Sequence, residues 1–529
     1  MPVLDTNLVA GRLFDFFGRR TPWHRRLWAG GLLTALEEAA EFGELVIAVG
    51  QGNEQLLGYR RFLRDEVSQD RGLAPAQRDQ LVAILSAKPF PMQSIRELRH
   101  LRAQVAPTYV SQWRSAAEQG DAPLERLART LASSLLEAGF SPSGLHRWLT
   151  GVMSQHPPVA VEVLVDAVDQ RMHLPTREWR VIVPVEQVPF RRHPRPENYL
   201  EAADATALLP KPLPTEGMVR LNGALVFGIS AKDRYGAATK AADRLRRIAS
   251  RVTVGLPGEA VPVIAEIAWV HRADEDPAAG SWAPLREAQR SVEIGTLFRQ
   301  RVVFDLPDRA AALDDAFQLL ASVESSSPGS AIIGGWAAIE SLLRGPDERG
   351  GEIAAQRMAA VVACALPRAE LTPLAHAYRK ANHDTLAVEL RQCTTNLELA
   401  DCLERAIRDG AALAFASPSD AAALLRLQSF IDSPATLGRV RRYLTTAFLR
   451  LYRLRNLVMH GGSARSVATE AVIGTAPALI GAGIDRIAHS LLSADPPIDP
   501  LALAARATIN LDQASMGLFR NLARLLAAP

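Results

Sequence analysis

The chain has 529 residues, 48% of them hydrophobic, and a net charge of only +3. That length exceeds one core and predicts roughly two to four domains, and the apolar fraction excludes a disordered chain. The near-neutral balance excludes a uniformly basic surface, so any contact with nucleic acid must come from local patches.

Residues 1 to 155 read as a helical N-terminal module, with apolar positions recurring at three and four in Leu32 to Phe42 and Leu124 to Leu136. Pro- and Ser-rich loops such as Lys88-Pro89-Phe90-Pro91 and Ser141-Pro142-Ser143-Gly144 separate the helices. Residues 156 to 305 change texture and predict a small α+β middle domain with a sensing or regulatory role. Val159 to Val165, Trp179 to Val185, Gly223 to Ile229 and Val261 to Val270 are short β-branched runs that predict strands. Asp233 to Ser250 predicts a basic amphipathic helix carrying Lys240, Arg244, Arg246 and Arg247, and Phe190 to Pro196 an irregular basic loop. From 306 to 529 helices dominate again: Ala310 to Ser322, Ser330 to Leu343, Ile353 to Leu366, Thr436 to His460 and Asn510 to Leu526. The fold class is therefore mainly α, with a C-terminal helical bundle.

Cys364, Cys393 and Cys402 stand at unequal gaps with no CxxC pair, which argues against a disulfide framework and a zinc site and fits a reducing cytoplasm. The start Met-Pro-Val-Leu-Asp lacks the features of a signal peptide. Ala471 to Ile484, the longest apolar stretch near the C-terminus, falls short of the roughly 20 residues of a membrane span, so no membrane partner is expected.

One segment is equipped for chemistry. Leu437, Val440, Leu444, Ala447, Leu451, Leu454 and Val458 form a three-and-four stripe, and this helix ends in Arg455-Asn456-Leu457-Val458-Met459-His460, followed by Gly461-Gly462 as a stop. Arginine offers a planar fork of donors to phosphate oxygens, and histidine moves protons near neutral pH. Arg19 to His24 repeats the Arg-to-His spacing, but Pro22 interrupts it and no helical repeat leads into it. Upstream, Glu340 lies four residues after Trp336 on or beside the apolar face of its helix; a carboxylate there needs a partner, with Arg455 the first candidate and Asn456 the second.

The Arg-Asn-x-x-x-His pattern at a helix end resembles the signature of the HEPN superfamily of RNases, and Gly334-Gly335-Trp336-Ala337-Ala338-Ile339-Glu340-Ser341-Leu342-Leu343 is similar to the opening helix of its Apea-like branch, which is associated with anti-phage defence. The resemblance covers about residues 310 to 529. It implies a metal-independent, cofactor-free RNA endonuclease that leaves a cyclic phosphate. It also implies a homodimer with its cleft between two HEPN domains, an RNA substrate such as tRNA, and a phage-derived trigger or inhibitor. The catalytic residues would be Arg455, Asn456, His460 and Glu340. Arg455 and His460 lie about 140° apart around a straight helix. Either the chain turns at His460, or a second protomer completes the site about a two-fold axis.

Two alternatives stay open: a non-catalytic HEPN-like dimerisation or binding protein, and the toxin half of a toxin–antitoxin pair. In the nuclease reading residues 1 to 305 restrain the enzyme, and deleting them raises toxicity. The other groups read more simply. His376, Lys380 and His383 form a solvated face; Arg96, Arg99, His100 and Arg102, like Arg19, Arg20, His24, Arg25 and Arg26, form solvated faces or salt-bridge partners; and Trp23, Trp28 and Trp148 are core anchors. The chain has no P-loop motif.

Overall fold

The computed structural model describes residues 2–28, 30–50, 52–155, 160–188, 196–256, 261–285, 292–299, 301–304, 311–325, 327–348, 350–433, 435–461, 466–493, 496–519 and 521–526, with backbone alone at 2–5, 53, 155, 325, 460 and 461. The protein is mainly helical, with one small antiparallel sheet. The basic loop expected at 190 to 196 lies almost wholly outside the described residues.

Among the described residues, nine α-helices between Pro2 and Met172 enclose one core, in which Leu13, Leu36, Leu63, Leu98, Trp113 and Leu131 are fully or almost fully buried. The ninth corrects the sequence reading: Val161–Met172 is a helix, although Val159 to Val165 reads as a strand. Val161, Leu164, Val165 and Val168 recur at three and four and are buried in this first core, so packing overrides β-branched propensity.

The sheet comprises β1 (Arg177–Gln187), β2 (Tyr199–Glu201), β3 (Gly223–Ala231), β4 (Val263–Ile264), β5 (Ile267–Arg272) and β6 (Ser281–Pro284), in the order β2-β3-β1-β5-β6 with β4 also on β1. β1 is central, pairing Val181 with Phe227 of β3 and Val270 of β5. Its side chains alternate as pleating requires. Val181, Val183 and Val185 meet the helix Arg234–Gly255 through Ala237, Ala238, Ala241 and Leu245, while Ile182 faces Ala205, Leu209 and Trp269 on the other side. The single strand expected at Val261 to Val270 is two, because the register shifts between Val185 and Gln187 of β1. Asp233 caps the helix by accepting from the Gly236 amide at 2.8 Å, and also accepts from the Ser141 hydroxyl at 2.7 Å, tying the sheet unit to the first core.

The third core is built around Glu352–Ala381, which runs 30 residues through Pro367 and Pro373 where the sequence reading ended it at Leu366. An interior proline costs about 3 kcal/mol; here the flanking turns are buried on nearly every side, and that packing outweighs the penalty. Against it pack Pro328–Leu343, Asn396–Arg408, Ala435–Gly461, Thr469–Leu492 and Pro500–Ser515. The last departs from the expected Asn510 to Leu526: the helix stops before Gly517, which takes φ 74°, the left-handed conformation that ends helices. Glu352–Ala381 and Thr469–Leu492 are long and apolar enough to cross a membrane by length and composition, but 78% and 72% of their most apolar windows are buried inside the fold, as befits central bundle helices.

The first and third cores are interlocked. Trp28 belongs to the C-terminal core although it lies between N-terminal helices. Arg25 reaches Glu370 at 3.3 Å and Asp420 at 2.8 Å, and Arg426 reaches Glu370 at 2.6 Å. Glu38 accepts from Arg450 Nε at 2.7 Å and pairs with Arg453; the Tyr443 hydroxyl donates to Glu66 at 2.8 Å. Helix Pro2–Phe17 comes so near the backbone of Pro418 that a Cβ on Gly11 would lie 2.5 Å from its carbonyl oxygen, a contact only glycine permits. Burial alone would raise the Glu38 and Glu370 carboxyls. Arg450 and Arg453 outweigh it for Glu38, and Arg426, His24 and Arg25 for Glu370, so both carboxyls are held below their ordinary value.

Candidate active site

The helix Ala435–Gly461 forms for the reason its stripe predicts: Leu437, Val440, Leu444, Ala447, Leu451 and Leu454 are all buried in the third core. Its exposed end carries Arg455 and Asn456, both half-buried. The helix Pro328–Leu343 crosses beside it, capped by the Ser327 hydroxyl accepting from the Ser330 amide. Trp336 sets this crossing. It is fully buried, and its ring centroid lies 4.8 Å from that of Tyr452, tilted by 41°. One turn further along each helix, the same crossing brings Glu340 beside Arg455.

Glu340 Oε2 lies 3.8 Å from Arg455 Nη2, and Arg455 Nη1 donates to Asn456 Oδ1 at 3.0 Å. The other Glu340 oxygen pairs with Arg344. Side-chain exposures of 18% for Glu340 and 30% for Arg455 put these groups at a wet rim. A pair this long and this hydrated contributes roughly 0 to 1 kcal/mol, so its effect is to orient Arg455 more than to hold the fold. Two guanidiniums around one carboxylate leave a local surplus of one positive charge, suited to a phosphate. Arg344 escaped the sequence reading, although its i,i+4 spacing from Glu340 is the signal that could have found it.

The backbone stays helical through residue 460 to Gly461, so the chain makes no turn at His460. The His460 side chain, and Gly462, lie outside the described residues.

Other candidate groups are engaged elsewhere. Of the cluster expected to be solvated or salt-bridging, Arg25 is a salt-bridge partner of Glu370 and Asp420, and both it and His24 are buried between the two helical cores. Arg99 pairs with Glu37 and Glu44, and Arg102 donates to the Leu33 carbonyl. His376 and His383 are exposed, His376 beside Arg379 and Asn396. Lys240 and Arg244 reach back to the carbonyls of Ser230 and Gly228 on β3. The three cysteines are free thiols, and burial pushes Cys402 up to about 11. Among the described residues no group of three His, Cys, Asp or Glu side chains is placed to hold a metal ion. Compared with family models, with curated proteins and with solved structures, the chain matches none.

Proposed function

We propose that the chain is a metal-independent RNA endonuclease whose C-terminal helices form a HEPN-like bundle, and that it acts in the cytoplasm as a regulated anti-phage, abortive-infection effector on cellular RNA such as tRNA. The observation that carries this reading is the convergence of Glu340, Arg455 and Asn456 at the end of the helix that leads into His460.

In the proposed reaction the ribose 2′-oxygen forms a bond to the neighbouring phosphorus, the bond from phosphorus to the 5′-oxygen breaks, and a 2′,3′-cyclic phosphate and a 5′-hydroxyl result. His460 moves protons, taking one from the 2′-hydroxyl or giving one to the departing 5′-oxygen, a role worth about 10²- to 10⁴-fold in rate. Arg455 stabilises the charge that builds on the phosphate oxygens. Glu340 positions Arg455, and Asn456, already bonded to it, orients the arginine or the scissile phosphate. An unbroken helix keeps residues 455 and 460 about 140° apart, which favours a homodimer in which each protomer supplies part of the cleft.

The test is cleavage of a mixed cellular RNA pool by the full-length protein and by His460→Ala, each with and without EDTA, followed by end-group analysis. EDTA-resistant cutting that leaves cyclic phosphates and drops by about 10²-fold or more in the variant is the expected result. Cutting indifferent to the substitution would refute the assignment.

A further inference from the structure

Between the N-terminal helices and the helix Ala435–Gly461 lies a cleft of about 890 Å³, within the range of roughly 300 to 1,000 Å³ typical of small-molecule sites. Eight arginines and five carboxylates line it. Four of the carboxylates are satisfied by the protein itself: Glu125 by Arg12, Glu370 by Arg426, Glu66 by Tyr443, and Asp70 by Tyr109.

The arginines are less well supplied. Among the described residues Arg129 uses only its Nε, on Glu125 at 3.0 Å. Among the described residues the Arg439 side chain donates only to the Thr436 hydroxyl, and the Arg442 side chain has only Asp65, at 3.7 Å. Deeper in the same lining, Arg426 Nη1, which comes no nearer to a carboxylate than 4.0 Å from Glu125, and both ring nitrogens of His24 are buried and have no hydrogen-bond partner among the described residues. A buried donor without an acceptor costs about 1 to 3 kcal/mol, so the Arg426 guanidinium and the single N–H of the neutral His24 ring present unmet demand for acceptor oxygens. The wall beside them is aromatic. Phe62 and Tyr443 meet edge to face at 5.6 Å, and the Arg129 guanidinium lies over Tyr443 at 5.2 Å.

Surplus guanidinium donors next to an aromatic wall match the two halves of one ligand class. Phosphate oxygens take guanidinium forks, and a flat base stacks on rings. We propose that this cleft binds a nucleotide, its phosphates on Arg129, Arg439 and Arg442 and its base against Phe62 and Tyr443. Phe62 and Arg129 come from the N-terminal helices and Arg439, Arg442 and Tyr443 from the helix that leads to Arg455, so the ligand bridges the two helical cores. Binding is a property of the folded chain, independent of whether that chain cuts RNA.

The test is calorimetric titration of the full-length protein with each of the four ribonucleoside triphosphates, with the matching nucleosides and with pyrophosphate, repeated on the double variant Arg439→Gln, Arg442→Gln. Both arginines are exposed and stand outside the buried ion-pair network, so the variant folds. At least one triphosphate is expected to bind saturably at one per chain, its nucleoside far more weakly, and the variant to lose about tenfold or more in affinity. Absence of saturable binding by all four triphosphates at about 1 mM, a level that detects even millimolar affinity, would overturn the proposal. So would binding that the double variant leaves unchanged, and pyrophosphate binding as tightly as the best triphosphate would overturn the base-stacking wall.

Discussion

Replacing Glu38 by Ala should separate the two helical cores energetically. Glu38 is 4% exposed and accepts from Arg450 Nε at 2.7 Å and from the Tyr59 hydroxyl at 2.5 Å, while its other oxygen meets Arg453. Arg450 is itself 4% exposed, so the substitution strands a buried guanidinium beside the second cation of Arg453. Removing one partner of such a pair costs about 3 to 5 kcal/mol. At about 2 to 4 °C per kcal/mol for a cooperative unit of this size, the first unfolding transition drops by roughly 6 to 20 °C. Differential scanning calorimetry of the full chain measures it. Adding Arg450→Met to Glu38→Ala should recover part of the loss, because the stranded charge leaves with its partner. A shift under about 2 °C for Glu38→Ala would refute the argument, since a solvated surface pair contributes only about 0 to 1 kcal/mol.

Three further outcomes are expected. Burial, with Arg25 and Arg426 nearby, pushes His24 down to about 4 from an ordinary 6.5. The unfolded chain therefore takes up a proton before the native one does, and stability present above about pH 6.5 is lost as pH falls towards 4, by at most about 3 kcal/mol. His24→Phe should flatten that slope in thermal melts between pH 7 and 4; a slope identical to wild type would mean that other groups, such as the lowered carboxyls Glu38 and Glu370, carry it. Glu340→Gln should leave the melting temperature within a degree or two, because the pair is partly exposed. It should reduce RNA cleavage about tenfold, chiefly in kcat, if Glu340 positions Arg455; unchanged cleavage would reduce Glu340 to a surface ion pair. Deleting residues 1 to 305 removes Trp28 from the C-terminal core, takes Arg25 away from Glu370 and strands the buried Arg450 guanidinium. The remaining fragment should therefore aggregate on size-exclusion chromatography instead of becoming a freed, more toxic enzyme, and a monodisperse, cooperatively melting fragment would show the interlock to be dispensable.

The periodicity of apolar residues alone determined the helix Ala435–Gly461, because Leu437, Leu444, Leu451 and Leu454 must share a face at 3.6 residues per turn whatever they pack against. The same holds for β1 and β3, whose alternation follows from the pleat. Glu340 could be paired with Arg455 in advance because a carboxylate at the edge of an apolar stripe requires a cation nearby. Tertiary structure decided the rest. Val161 to Val165 became helix because its three-and-four face found the first core, and Glu352–Ala381 passed two prolines because the turns around them are buried. Arg25 read as a solvated or salt-bridging charge and Glu38 drew no reading, yet both are buried and their partners stand more than 300 residues away, at Glu370 and Asp420 for Arg25 and at Arg450 for Glu38. Local sequence sets the backbone period and the face each side chain occupies; which charge meets which across a buried interface depends on how whole helices dock, and no window of sequence contains that geometry.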